Sequence, residues 1–279
     1  FEKTLATDFQ IDALQHLEQA RDVLVPQVCR TLSGDLSSSI ADEHGAYRLR
    51  VVTWVDGVPL EMQPLEQDTA RELGAALAGL DRAFGGFSHP GERPELLWDL
   101  QRATELRRLL SCIDDADIRQ RVARAVDDFE HNVLPEMSGL RTQVIHGDPN
   151  PGNVLTTDAG MGFIDFGDIV KAPMVFDVAI AASYLRAFES RPLQFMVPFV
   201  SAYHAVTPLT PQEADLLFDL VRARLATTTT LLYWRLAARE QDDPYRQKAL
   251  ESESGAARFL GLLDQLGRDA FRQEIFRFQ

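Results

Sequence analysis

The sequence predicts an α+β chain: a small strand-bearing N-terminal part, then a larger and mainly helical remainder. Three observations predict it. Residues 47–55 (Tyr-Arg-Leu-Arg-Val-Val-Thr-Trp-Val) are rich in β-branched and aromatic types and close on the turn pair Asp56-Gly57. After Pro64 the pattern changes, with Leu73, Leu77, Leu80 and Phe84 at helical spacing. Between residues 143 and 168, short apolar runs flank loops built from Pro, Gly, Asn and Asp.

Taken in order, residues 8–22 read as a helix, with Phe9, Leu14 and Leu17 apolar. Residues 26–32 and 37–41 read as short strands around the Ser33-Gly34-Asp35 turn. Residues 47–55 form a further strand that runs into a linker. The helix after Pro64 stops at Gly85-Gly86. Ile118, Val122, Val126, Phe129 and Val133 mark another helix, ending near Pro135. A helix spans 176–185. Thr210-Pro211-Gln212-Glu213 supplies an N-cap, a proline at the first helical position and the glutamate of a capping box. The helix it opens continues through the 220s and 230s. The part boundary is expected between Asp56 and Pro64, giving units 1–56 and 57–279.

Composition narrows the function classes. Of 279 residues, 45% are hydrophobic and 25% charged, the balance of a globular chain. Lys+Arg number 28 and Asp+Glu 42, a formal net charge of -14. That surface repels nucleic-acid phosphates and anionic lipid, so neither is expected as a partner. Lys3, Lys171 and Lys248 are the only lysines. Cys29 and Cys112 stand far apart without metal-ligand spacing and read as buried thiols in a reducing compartment. No membrane-length apolar run is present, and a cytoplasmic location is expected.

The chemistry concentrates in Val144-Ile145-His146-Gly147-Asp148-Pro149-Asn150-Pro151-Gly152-Asn153, followed by Phe163-Ile164-Asp165-Phe166-Gly167-Asp168. Asn153 and Asp165 offer the one or two oxygen ligands that Mg²⁺ takes from protein when phosphates and water complete its shell. Asp148 stands at the loop start, where a carboxylate can accept the proton of an attacking hydroxyl. Phosphoryl transfer asks for little more than these parts and exact placement. The order His146-Gly147-Asp148, four residues, Asn153, then Asp165-Phe166-Gly167 follows the protein-kinase signature with Gly in place of Arg.

With that replacement the chain resembles the aminoglycoside phosphotransferase / choline kinase superfamily, and most of all its hydroxylysine kinase / type II homoserine kinase-like branch. Asp8-Phe9-Gln10, residues 47–57, Trp98-Asp99-Leu100 and Phe176-Asp177-Val178-Ala179 extend the resemblance over most of the chain. It implies a protein-kinase-like two-lobe fold and transfer of the γ-phosphoryl of ATP or GTP to a small amine or amino acid. Asp148 would be the catalytic base and Asn153 and Asp165 the Mg²⁺ ligands. The nucleotide base would meet Thr53, Trp54 and Val55, and Asp177 would brace the catalytic loop. His146 is expected to be structural. Asp168, Arg224, Trp234 and Arg235 are candidate substrate residues, with Asp168 for an ammonium and an arginine for a carboxylate. A solvated turn for Asp168, a helix cap for Asp177 and a packed, back-bonded face for Thr227–Thr230 are the plainer readings. An aminoglycoside kinase and a non-catalytic kinase-like binding module are the rival functions. The resemblance also implies a phosphate-binding lysine on an N-lobe strand. Lys3 does not lie in such a strand, and Gln10 stands where many relatives carry its acidic partner. The N-lobe is therefore expected to be incomplete, with its first strands upstream of Phe1.

Overall fold

The computed structural model describes residues 2–277 except 21, 43, 44, 189, 190, 241 and 242; the Lys3 side chain lies outside the described residues. The N-terminal part comprises α1 (Glu2–Leu17), β1 (Val28–Cys29), β2 (Ser38–Asp42), β3 (Gly45–Leu49) and β4 (Val51–Val52). β2 pairs antiparallel with β3, and β1 with β4. Then follow β5 (Val58–Pro59), α2 (Gln67–Ala83) and α3 (Ala116–Asp128), and the strands β6 (Thr142–Ile145), β7 (Val154–Thr157), β8 (Gly160–Phe163) and β9 (Val170–Pro173). The chain closes with α4 (Val175–Ala182), α5 (Met196–Val206), α6 (Pro211–Ala237), α7 (Pro244–Glu253), α8 (Gly255–Leu266) and α9 (Arg268–Ile275). This is an α+β, protein-kinase-like architecture.

Three elements differ most from the sequence reading. The first helix occupies 2–17, not 8–22. Asp8 lies inside it, and its carboxylate accepts from Arg48 at 2.6 Å. Beyond Leu17 the chain is drawn out by pairing, where the Phe163 N–H donates to the Leu24 carbonyl at 2.8 Å. The strand expected over 47–55 breaks at Arg50, where it changes partner from β2 to β1, and it ends at Val52. The helix expected to stop near Pro135 instead runs on past Asp128 through a wider turn (Phe129–Val133) and a tight one (Leu134–Gly139). Pro135 sits in the first turn of that last segment, where its missing N–H costs nothing. The two cysteines are free and only half-buried.

One apolar core joins the helices, with Phe9, Leu77, Phe129, Phe163, Phe176, Phe199 and Phe259 fully enclosed. α2 lies so close to α5 that a Cβ on Gly74 would stand 2.1 Å from the Phe199 carbonyl oxygen. α6 is buried on nearly all sides from Leu216 to Thr230, packed against α3, α4 and α8. Its capping box forms as expected at Thr210 and Glu213. Thr227, Thr229 and Thr230 each donate a hydroxyl to the carbonyl four residues back, at 2.8 Å, so their polar groups are satisfied inside the core. No helix among the described residues is long and apolar enough to cross a membrane.

Candidate active site

Two pairings create the site. β6 and β9 run antiparallel with Ile145 opposite Val170, and β7 and β8 form a hairpin with Val154 opposite Phe163. The loops 146–153 and 164–169 therefore leave the same end of the strands. They touch at Gly147, where φ is +81° and a Cβ would lie 2.3 Å from the Asp168 carbonyl oxygen. Only glycine fits there.

Asp177, on α4, holds the first loop from below. Its carboxylate accepts the N–H groups of His146 at 2.8 Å and Gly147 at 2.9 Å. Burial pushes this carboxyl up, and those two N–H groups pull it back. Asp177 lies in the first turn of α4, but its carboxylate is spent on the loop. His146 ties the two loops together. It is fully buried, its Nε2 bonds the Ile164 carbonyl at 3.0 Å, and its Nδ1 faces the Asp148 N–H at 3.3 Å. Burial lowers its basicity, which suits a neutral ring donating through Nε2 and accepting at Nδ1.

The Asp148 carboxylate stands at the floor of a cavity of about 380 Å³. Arg224 Nη2 donates to Oδ1 at 2.5 Å, and Asn150 Nδ2 donates to Oδ2 at 2.7 Å. Asn153 Nδ2 donates to the Asp148 carbonyl at 3.0 Å, which leaves its own Oδ1 for another partner. Asp165 adopts φ 59°, the only left-handed residue other than glycine among those described. Its Oδ1 accepts the Gly167 N–H at 3.2 Å. α1 reaches this turn through Gln10, whose Nε2 donates to the Gly167 carbonyl at 3.3 Å. Half-buried Arg50 lies within the field of Asp165.

The cavity wall brings together Asp148, Asp168, Arg224, Trp234 and Arg235, five of the residues singled out in the sequence. Burial, then the negative charges of Asp148 and Asp165, push Asp168 up to about 6, against the Trp98 indole N–H and Arg224. Thr53, Trp54 and Val55 lie elsewhere, lining a cleft of about 370 Å³ with Leu24, Val25 and the β7–β8 turn. Thr53 spends its N–H on the Gln27 carbonyl at 2.8 Å. Asn150 and Tyr184 join this cluster and escaped the sequence reading, whereas Trp98 was noted there only within the Trp98-Asp99-Leu100 resemblance and Thr228 only within the threonine run. Asn150 carried a signal, two residues beyond Asp148 in the loop; Tyr184 carries none of its own.

A model of the phosphotransferase enzyme family matches residues 2–217, a span that contains both loops. The chain belongs to that family. Phosphotransferase relatives include the hydroxylysine kinase of Bos taurus, 27% identical over 236 residues, a span of 78% of this chain and 63% of the relative. The chain thus spans less than two thirds of that protein's length. Among solved structures, a microcompartment-associated aminopropanol kinase superposes with a TM-score of 0.71 at 21% identity, covering 93% of this chain and 81% of the other. An amicoumacin kinase in complex with AMP-PNP, Ca²⁺ and Ami superposes at 0.69 with 16% identity, covering 95% and 78%. Both share the phosphotransferase fold.

Proposed function

We propose that this chain transfers the γ-phosphoryl of ATP or GTP to a hydroxyl of a small amine or amino acid of the hydroxylysine, homoserine, ethanolamine or choline type, in the cytoplasm. The observation that carries the reading is the Asp148 carboxylate. It lines an open pocket, in the same loop as Asn153 and next to the loop that carries Asp165. The lobe boundary falls at 56/57, with the nucleotide base against Thr53, Trp54 and Val55.

The donor set fits Mg²⁺. Asn153 presents a free amide oxygen, and Asp165 keeps one carboxylate oxygen beyond the Gly167 N–H. No cluster of three His, Cys, Asp or Glu able to hold an ion occurs among the described residues, and phosphate oxygens would complete the shell. When bound, the ion neutralises charge on the transferring phosphoryl group. Asp148 orients the acceptor hydroxyl and takes its proton as the new O–P bond forms and the bond from the γ-phosphorus to the β,γ-bridging oxygen breaks, with the nucleoside diphosphate leaving. Asp168 meets the acceptor ammonium, no cation among the described residues being in hydrogen-bond contact with it. Trp98, Tyr184 and Trp234 supply aromatic faces to the same cation. The like-charge crowding that raises Asp168 is relieved when that cation arrives.

Nucleoside diphosphate release should be measured with ATP and with GTP on hydroxylysine, homoserine, ethanolamine, choline, kanamycin and glycerol. Asp148→Asn should lower turnover by ~10²–10⁴ while folding and nucleotide affinity hold. Wild-type turnover in that variant would sink the assignment. A preference for kanamycin would keep the mechanism and move the acceptor to the antibiotics. Preference for glycerol would remove the amine.

A further inference from the structure

Arg224 was singled out in the sequence as a partner for an acceptor carboxylate, but its hydrogen bonds point another way. It stands in the middle of α6, 5% exposed. Nη2 lies 2.5 Å from Asp148 Oδ1 and 3.3 Å from the Tyr184 hydroxyl, and Nη1 lies 3.4 Å from the Trp98 carbonyl. The guanidinium carbon sits 5.9 Å from the Tyr184 ring centroid. A charge buried this deeply is costly unless it is paired, and Asp148 is its ion-pair partner among the described residues.

We propose that Arg224 is a positioning residue for Asp148, on the reading of Asp148 as the base. Arg224 holds Oδ1 from the helix side, and Asn150 holds Oδ2 from within the loop. Two donors on two oxygens fix the plane of the carboxylate. They also offset the repulsion among Asp148, Asp165 and Asp168, which would otherwise turn Asp148 away from its neighbours. The helix that carries Arg224 carries Thr228 and Trp234 of the acceptor wall as well. Two residues earlier on the same helix, Arg222 is tied to Asp264 at 2.7 Å and to Asp128. α6 therefore sets the base and the acceptor wall from one rigid rod. The distance from hydroxyl to carboxylate is then built into a single element.

This role separates from acceptor binding in the kinetics. Arg224→Met and Arg224→Lys should be assayed on hydroxylysine, which has a carboxylate, and on aminopropanol, which has none. The expected result for Arg224→Met is a fall in kcat of ~10–10²-fold on both acceptors, the scale of a misplaced catalytic group, with KM for each within about threefold. Arg224→Lys should recover part of the loss. Guanidinium ion added to Arg224→Ala should restore part of kcat, and add nothing to Asp148→Asn. An unchanged kcat, or a loss confined to KM for hydroxylysine, overturns the proposal; the second would give Arg224 to the acceptor carboxylate. Thermal unfolding of Arg224→Met, Asp148→Asn and the double variant reads the pair without turnover. The double variant should lose less than the two single losses together. Additive losses overturn the proposal even where no acceptor turns over, whereas absent wild-type turnover with coupled losses sinks the kinase reading alone.

Discussion

Asp165 holds a backbone conformation that costs most side chains energy, at φ 59°. Asn tolerates that region and removes the charge, so Asp165→Asn isolates the charge from the strain. It should weaken nucleotide binding in the presence of Mg²⁺ and leave metal-free binding nearly unchanged. Calorimetric titration with and without Mg²⁺ checks this; equal losses would make Asp165 a support of the turn. Asp168 gives a pH dependence whose sign is fixed. Its carboxyl is raised from 3.8 to about 6, so it is ionised above that pH and takes up a proton below it. Metal-free affinity for an ammonium acceptor should therefore fall by about tenfold between pH 7 and pH 5, following the ionised fraction of one group. Asp168→Asn should bind weakly across the whole range. A flat wild-type profile would detach Asp168 from the ammonium.

At the scale of elements, what the sequence makes legible is what local chemistry decides. The capping box at Thr210 and Glu213 is set by neighbours in the chain, and α6 starts where the motif says. Thr210→Ala should cost ~1 kcal/mol in denaturant unfolding, the usual worth of an N-cap side chain. The first helix and the strand over 47–55 were misplaced because distant partners decide them. Arg48 takes Asp8, β8 takes the backbone of Leu24, and β1 and β2 divide the strand at Arg50. The contact of α2 with α5 was equally hidden. There Tyr203 donates its hydroxyl to Asp81 Oδ2 at 2.5 Å, while Asp81 Oδ1 is buried without a hydrogen-bond partner among the described residues. Burial, and then the charge of Asp177, raise the Asp81 carboxyl well above its usual range. The folded chain thus keeps a proton that the unfolded chain gives up above pH 4. Stability held by that proton is complete below the unfolded value of 3.8 and drains as pH rises through the folded one. Asp81→Asn cannot ionise and still accepts from Tyr203. Relative to wild type it should gain stability as pH rises from 4, by at most about 1.4 kcal/mol per unit. Unfolding free energies at pH 4, 6 and 8 check the trend. A constant difference would mean that Asp81 is ionised in the fold.

For the whole molecule, the candidate site was readable where one loop holds it and hidden where the fold assembles it. His146, Asp148, Asn153 and Asp165 announce themselves by spacing. Arg224 reaches Asp148 from 76 residues away, and Trp98 and Tyr184 arrive from two further segments, so no local pattern could join them. Charge acts on the same scale. The net charge of -14 repels a nucleoside triphosphate and attracts an ammonium acceptor. The pocket sharpens the contrast, since Asp168 faces it with no cation among the described residues in hydrogen-bond contact, while Arg224 is paired with Asp148. Salt screens both effects, with a Debye length near 8 Å at physiological ionic strength. The two substrates should therefore respond with opposite sign. Raising monovalent salt at constant free Mg²⁺ should weaken the binding of aminopropanol. It should leave nucleotide affinity unchanged or improve it, because the long-range repulsion is what the salt removes. Calorimetric titration of each substrate alone across a salt series decides the matter. If nucleotide and amine weaken together, local cations outweigh the field of the whole chain, and half-buried Arg50, beside Asp165, becomes the first residue to replace.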